Sequence, residues 1–111
     1  MNNTVPQTSI QALLQTFTHI VQKLYGERLE RVVLFGSYAR GTAHEGSDID
    51  VAVVLRGAVK PMEEIDIIVD ATYNINLEYG VLLAIYPVAL QRYDNEQSPL
   101  LINIRKEGLV L

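Results

Sequence analysis

Apolar residues fall along this chain in two patterns, helical steps and short continuous runs, and the alternation between them outlines a fold. From Ile10 to Leu24, the residues Ile10, Leu13, Leu14, Phe17, Ile20, Val21 and Leu24 return at three- and four-residue steps. That spacing predicts an amphipathic helix covering one face of a sheet. Thr8 and Gln11 fit a capping box at its start, and Gly26 fits its stop. Val32 to Phe35 is a short apolar run closed by Gly36-Ser37, which predicts a buried strand. Tyr38-Ala39-Arg40 allows one helical turn before Gly41, and the polar stretch from Thr42 to Ser47 reads as a loop. Ile49 to Leu55 is apolar apart from Asp50 and predicts a second strand, broken by Gly57.

Pro61 suits the first turn of a second long helix, which Gly80 terminates. Ile65, Ile68, Val69, Thr72, Ile75 and Tyr79 are its expected inner face, and Tyr25, Tyr73, Tyr79 and Tyr86 are expected in the core or at its edge. Glu63, Glu64, Asp66 and Asp70 crowd its first half, where the helix dipole favours anions, and read as a solvated face. Val81 to Leu90 is nearly all apolar and predicts a third strand, buried on both faces. Pro87 cannot donate to a ladder, which implies an edge, a bulge or a strand end. Ser98-Pro99 opens a last helix to Lys106, and Leu109 to Leu111 offers a short final strand. The order is α-β-β-α-β-α with a possible last strand. The fold class expected is α/β (α+β): a small mixed sheet backed by helices, one domain over residues 1–111.

Composition removes several alternatives. The chain has 111 residues, of which 49% are hydrophobic and 20% charged, so a packed domain rather than disorder is expected. Nine basic against 13 acidic residues give a net charge of −4, which disfavours direct nucleic-acid binding. Cysteine is absent and there are only two histidines, so neither a disulfide framework nor a zinc site is expected. His19 and His44 read as solvent-facing. No apolar run is long enough to span a membrane and the first residues do not resemble a signal peptide, so the expected location is cytoplasmic.

The chemistry concentrates in Leu34-Phe35-Gly36-Ser37-Tyr38-Ala39-Arg40-Gly41 and Gly46-Ser47-Asp48-Ile49-Asp50. In a strand, Asp48 and Asp50 project from one face with Cα atoms ~6.6 Å apart, close enough to converge on a cation. Magnesium is the natural ion, because it prefers oxygen donors and binds through few carboxylates plus phosphates. Without a cation the two carboxylates repel. Gly36 permits close backbone approach, and Ser37 starts a turn whose free N–H groups and hydroxyl suit a phosphate. Arg40 in the same turn is placed to contact phosphate or to pair with Glu45.

Gly36-Ser37, ten residues, then Asp48-Ile49-Asp50 resembles the signature of the DNA polymerase β-like nucleotidyltransferase superfamily. The wording Phe-Gly-Ser-Tyr-Ala-Arg-Gly and Ser-Asp-Ile-Asp, with the small size, resembles its minimal nucleotidyltransferase branch. That resemblance covers nearly the whole chain. It implies an antitoxin that uses Mg²⁺ and ATP to transfer AMP onto a tyrosine of a HEPN-domain ribonuclease toxin, within a hetero-oligomer. It assigns metal binding and catalysis to Asp48 and Asp50, and nucleotide binding to Gly36, Ser37 and Arg40. The superfamily also has a third carboxylate on the strand after the helix. Here that strand reads Val81-Leu82-Leu83-Ala84-Ile85-Tyr86, and Glu78 at the end of the preceding helix is the nearest candidate. The missing acid supports one alternative, an inert fold that neutralises its partner by occlusion; a second alternative is a transferase acting on a small molecule such as an aminoglycoside. Relatives of the second kind carry a helical domain that 111 residues do not accommodate. The rim with Tyr38, Arg40 and His44 is the expected contact zone for a protein acceptor.

Overall fold

A computed structural model describes residues 7–44 and 46–111. The first helix, α1, runs Gln7–Tyr25 and buries Ile10, Leu13, Leu14, Phe17 and Val21 along one stripe. His19 on the opposite side is exposed, as expected. The Thr8 capping box lies outside the described side chains. A short turn, Gly26–Arg28, leads into β1 (Leu29–Phe35). This strand starts earlier than the apolar run suggests, because Leu29 pairs with Leu55 across the sheet and extends the ladder through Glu30 and Arg31. Glu30 is tied to Arg56 on the neighbouring strand's end at 2.6 Å.

A one-turn helix, α2 (Gly36–Arg40), separates β1 from β2 (Ile49–Leu55), and the long α3 (Pro61–Tyr79) follows. Then come β3 (Leu83–Ala89), a short α4 (Leu90–Asn95), α5 (Pro99–Glu107) and β4 (Leu109–Val110). The short helix α4 is an addition to the predicted order. Only Leu90 and Tyr93 are apolar within it, too few to show a period, and it forms because Tyr93 finds a buried place against β1, β2 and α5. Ser98 caps α5, its Oγ accepting from the Leu101 N–H at 3.3 Å.

The four strands lie in the order β3-β2-β1-β4. β1 is antiparallel to β2 and to β4, while β2 and β3 are parallel and joined by the α3 crossover. The sheet is therefore mixed and covered on both faces. One face carries Val32, Leu34, Ile49, Val51, Val53 and Leu55 against α1 and α3. The other carries Val33, Ala52, Val54 and Val88 against Tyr93, Leu101 and Ile104 from α4 and α5. This is the α/β architecture expected, with helices on both sides.

Three expectations are corrected. The inner line of α3 is Glu64, Ile68, Thr72 and Ile75. Val69 and Tyr73 instead face outward, 42% and 58% exposed, because the helix is rotated to bring Glu64 inside. Glu64 is buried among partners rather than solvated: the Tyr25 hydroxyl donates to it at 3.0 Å and the Lys60 N–H at 3.2 Å. Finally, β3 is an edge strand, so Ala84, Ile85 and Tyr86 are only half-buried and the stretch is not enclosed on both faces. Its edge position is what tolerates Pro87.

Candidate active site

Asp50 is the second residue of β2, and Asp48 stands just ahead of that strand. Asp50 faces away from α1 and α3, on the side of Ala52 and Val54. A turn sets up the approach: the Ser47 N–H donates to His44 O at 2.9 Å, and Ser47 Oγ accepts from the His44 N–H at 3.0 Å. Asp48 is exposed and Asp50 half-buried. The Asp50 carboxyl is held above its ordinary range, first by burial and then by the negative charge of Asp48, with Arg40 opposing both. The three side chains therefore share one electrostatic environment, although Arg40 is distant in sequence from the aspartates.

Gly36 is wedged against Asp50. Its neighbour Phe35 pairs with Asp50 across the β1–β2 ladder. Gly36 itself has φ +73°, and a Cβ built on it would overlap Asp50 Oδ2 and lie 3.1 Å from Asp50 Cγ. Only glycine satisfies both the left-handed backbone and the contact. Ser37 follows in the first turn of α2, half-buried, with its carbonyl accepting from the Thr42 N–H at 2.9 Å. Tyr38, half-buried, packs against the core.

Arg40 ends α2 and pairs with Glu107 in the last turn of α5 at 3.6 Å. Both side chains are largely exposed. The expected alternative partner, Glu45, lies outside the described residues. Between α2 and α5 opens a cavity of about 190 Å³, lined by Phe35, Gly36, Arg40, Asn103 and Glu107 among others. A larger groove of about 560 Å³ lies along α1 beside Leu111, with none of the candidate residues on its wall.

The structure gathers Gly36, Asp48, Asp50 and Arg40 and sets Ser37 in the turn between them. It does not gather Glu78, which is exposed in the last turn of α3, on the helix layer behind the opposite face of the sheet. No group of three metal-ligating side chains exists among the described residues. In the parallel β2–β3 ladder the residue beside Asp50 is Ala84, so the third strand offers a methyl group there. Glu107 is the neighbour that sequence reasoning missed. Nothing in the spacing links it to Arg40, because the contact depends on how α5 folds back over α2.

Two carboxylates two residues apart, with Asp50 resisting ionisation first because it is half-buried and then because of the Asp48 charge, form a donor set that a hard divalent cation relieves. The residues present fit magnesium held through two carboxylates with phosphate oxygens completing its shell.

The nucleotidyltransferase domain family matches residues 14–111, nearly the whole chain. The chain belongs to the nucleotidyltransferase domain family. The chain is 36% identical over 70 residues to a Methanocaldococcus jannaschii protein named “Putative protein adenylyltransferase MJ0604”, a match covering 63% of the chain and 64% of the relative. A second protein of that organism, of the same name but designated MJ0141, is 31% identical over 72 residues, covering 65% of the chain and 72% of the relative. The first match thus spans less than two thirds of that relative's length. The fold also superposes on a crystal structure of a toxin-antitoxin with AMP-PNP, with TM-score 0.61, 18% identity, and coverage of 86% of this chain and 70% of the other. A toxin-antitoxin MntA-HpeT structure gives TM-score 0.60 at 16% identity, covering 86% and 69%. At such identities these superpositions establish a shared fold, the nucleotidyltransferase fold. No described helix of the chain is long and apolar enough to cross a membrane.

Proposed function

We propose that this single nucleotidyltransferase domain is a magnesium-dependent, cytoplasmic protein adenylyltransferase that acts as an antitoxin. It transfers AMP from ATP to a hydroxyl, a tyrosine by preference, of a HEPN-domain ribonuclease toxin with which it forms a hetero-oligomer. The observation that carries the reading is the packing of Gly36, at the start of the turn proposed to hold phosphate, against the Asp50 carboxylate. The names of the relatives and the toxin-antitoxin structures support the acceptor class.

Asp48 and Asp50 would hold Mg²⁺, which when bound neutralises charge on the phosphate chain. Gly36, with no side chain, lets a phosphate approach the backbone, and the Ser37 hydroxyl donates to a phosphate oxygen. Arg40 adds a positive charge to the same turn. The acceptor hydroxyl oxygen forms a bond to the α-phosphorus, the α–β phosphoanhydride bond breaks, and pyrophosphate leaves. Positioning and charge neutralisation supply most of the catalysis in such transfers. With Ala84 beside Asp50, no third carboxylate among the described residues joins the pair to take the acceptor's proton, which passes to water.

The test is intact mass of the HEPN-domain protein after incubation with the chain, ATP and Mg²⁺. A gain of one AMP mass or a small multiple, with loss of ribonuclease activity, supports the reading. Ribonuclease neutralised at unchanged mass replaces transfer with occlusion, the second reading favoured by Ala84 at the position of a missing acid.

A further inference from the structure

The outer side of α3 is apolar where solvent would ordinarily select polar residues. Val69, Tyr73 and Leu77 recur at four-residue steps and are 42%, 58% and 66% exposed; Leu82, in the turn before β3, is 58% exposed. A contiguous exposed patch of this kind marks a binding surface. Its direction links it to the chemistry. α3 ends at Gly80, and Leu82 O accepts from the Ile49 N–H at 2.9 Å. Ile49 lies between Asp48 and Asp50, so the apolar line finishes at the end of the sheet that carries the carboxylate pair, on the face opposite Asp50, and an acceptor gripped there reaches the pair around that end.

The rim of the line decides its occupant. Asp66 and Asp70, one helical turn apart, are exposed beside Val69 and Tyr73, and no cation pairs with either among the described residues. A second copy of this chain, with net charge −4, would bring acids against acids. The complement is a different protein with an apolar strip flanked by Lys or Arg.

We infer that Val69, Tyr73, Leu77 and Leu82 form a docking track for the acceptor protein, which leads its hydroxyl to Asp48 and Asp50. This rests on the protein-acceptor reading above and places the contact beyond the Tyr38–Arg40–His44 rim. The track supplies the acceptor grip that a phosphate-and-metal cradle lacks.

Titration calorimetry of the chain against a HEPN-domain protein encoded in the adjacent reading frame tests it. Tyr73→Ser/Leu77→Ser should weaken the complex by roughly tenfold or more, as loss of central apolar anchors does. Asp66→Lys/Asp70→Lys should weaken it and flatten its salt dependence. Both variants should keep wild-type circular dichroism and ATP affinity, since these side chains are exposed and lie outside the nucleotide site. Undiminished affinity in both variants overturns the track and leaves the transfer reading standing. A wild-type dimer in sedimentation equilibrium that becomes monomeric in the variants also overturns it, in favour of a second copy. Tight wild-type binding weakened by the variants, with no AMP transferred, supports the track while removing the transfer reading. No wild-type complex at all overturns both.

Discussion

Gly36 and Asp50 occupy one space: the missing side chain of the glycine is the room in which the Asp50 carboxylate sits. They face each other because Phe35 and Asp50 are partners in the β1–β2 ladder, and the chain turns into α2 immediately afterwards. Gly36→Ala should therefore fail twice. It puts a Cβ at a left-handed φ, costing about 1–2 kcal/mol, and it pushes Asp50 out of place. The expected outcome is a melting temperature lower by several degrees and transfer activity below detection, read by calorimetry and intact mass. Full activity in this variant would place the phosphate turn elsewhere.

The raised pKa of Asp50 makes a pH prediction. A carboxyl whose folded pKa lies above its unfolded one binds more protons when folded, so stability falls as pH rises from the unfolded value of about 3.9 through the folded one. At neutral pH the ionised Asp50 is thus a cost to the empty fold. Asp50→Asn should melt at or above the wild-type temperature at pH 7, and the advantage should shrink toward pH 3. Asp48→Asn should bring the Asp50 pKa down, measurable by carboxyl NMR titration. Both variants should lose the thermal stabilisation that Mg·ATP gives the wild type by binding only the folded state; retained stabilisation in the double variant would remove the metal assignment.

Arg40 is held by Glu107 in an exposed pair, which is worth about 0–1 kcal/mol. Glu107→Gln should leave stability nearly unchanged. Arg40→Ala and Ser37→Ala each remove a donor to a charged phosphate, a loss of about 1.5–3 kcal/mol. Calorimetry should show ATP bound roughly ten- to a hundredfold more weakly in each.

Ala84 stands where a third acid would flank Asp50. Ala84→Asp should raise the rate of AMP transfer by supplying a proton acceptor, an effect of ~10²-fold or more when such a base is well placed. It should also lower the apo melting temperature, because a third carboxylate joins two that already repel. A rate no higher than wild type at saturating Mg²⁺ would show that the open site needs no base.

Away from the site, burial, the Glu64 hydrogen bond and the Glu64 charge push the Tyr25 hydroxyl up to about 12. The unfolded tyrosine ionises near 10, so the neutral folded form favours stability below that value. The advantage is lost as pH rises from about 10 toward 12. Tyr25→Phe should flatten that part of the stability profile. Glu64→Ala should cost about 1–3 kcal/mol by leaving the Tyr25 hydroxyl and the Lys60 N–H without their partner.

The sequence by itself determined the helices α1, α3 and α5, the strands β1 to β3 and the placing of Asp48 and Asp50 at the start of β2. Those features rest on local pattern: three- and four-residue apolar steps, short continuous apolar runs, and Gly, Pro and Ser at the ends. Tertiary structure decided the rest. It set the phase of α3, turning Glu64 inward and Val69 and Tyr73 outward, because a buried carboxylate found Tyr25 and Lys60 from other segments. It formed α4 around one buried tyrosine. It left Glu78 apart from the carboxylate pair, put Ala84 beside Asp50 and brought Glu107 to Arg40. Each of these depends on which strands pair and which helix lies over them, and such contacts between distant segments leave no period in the chain.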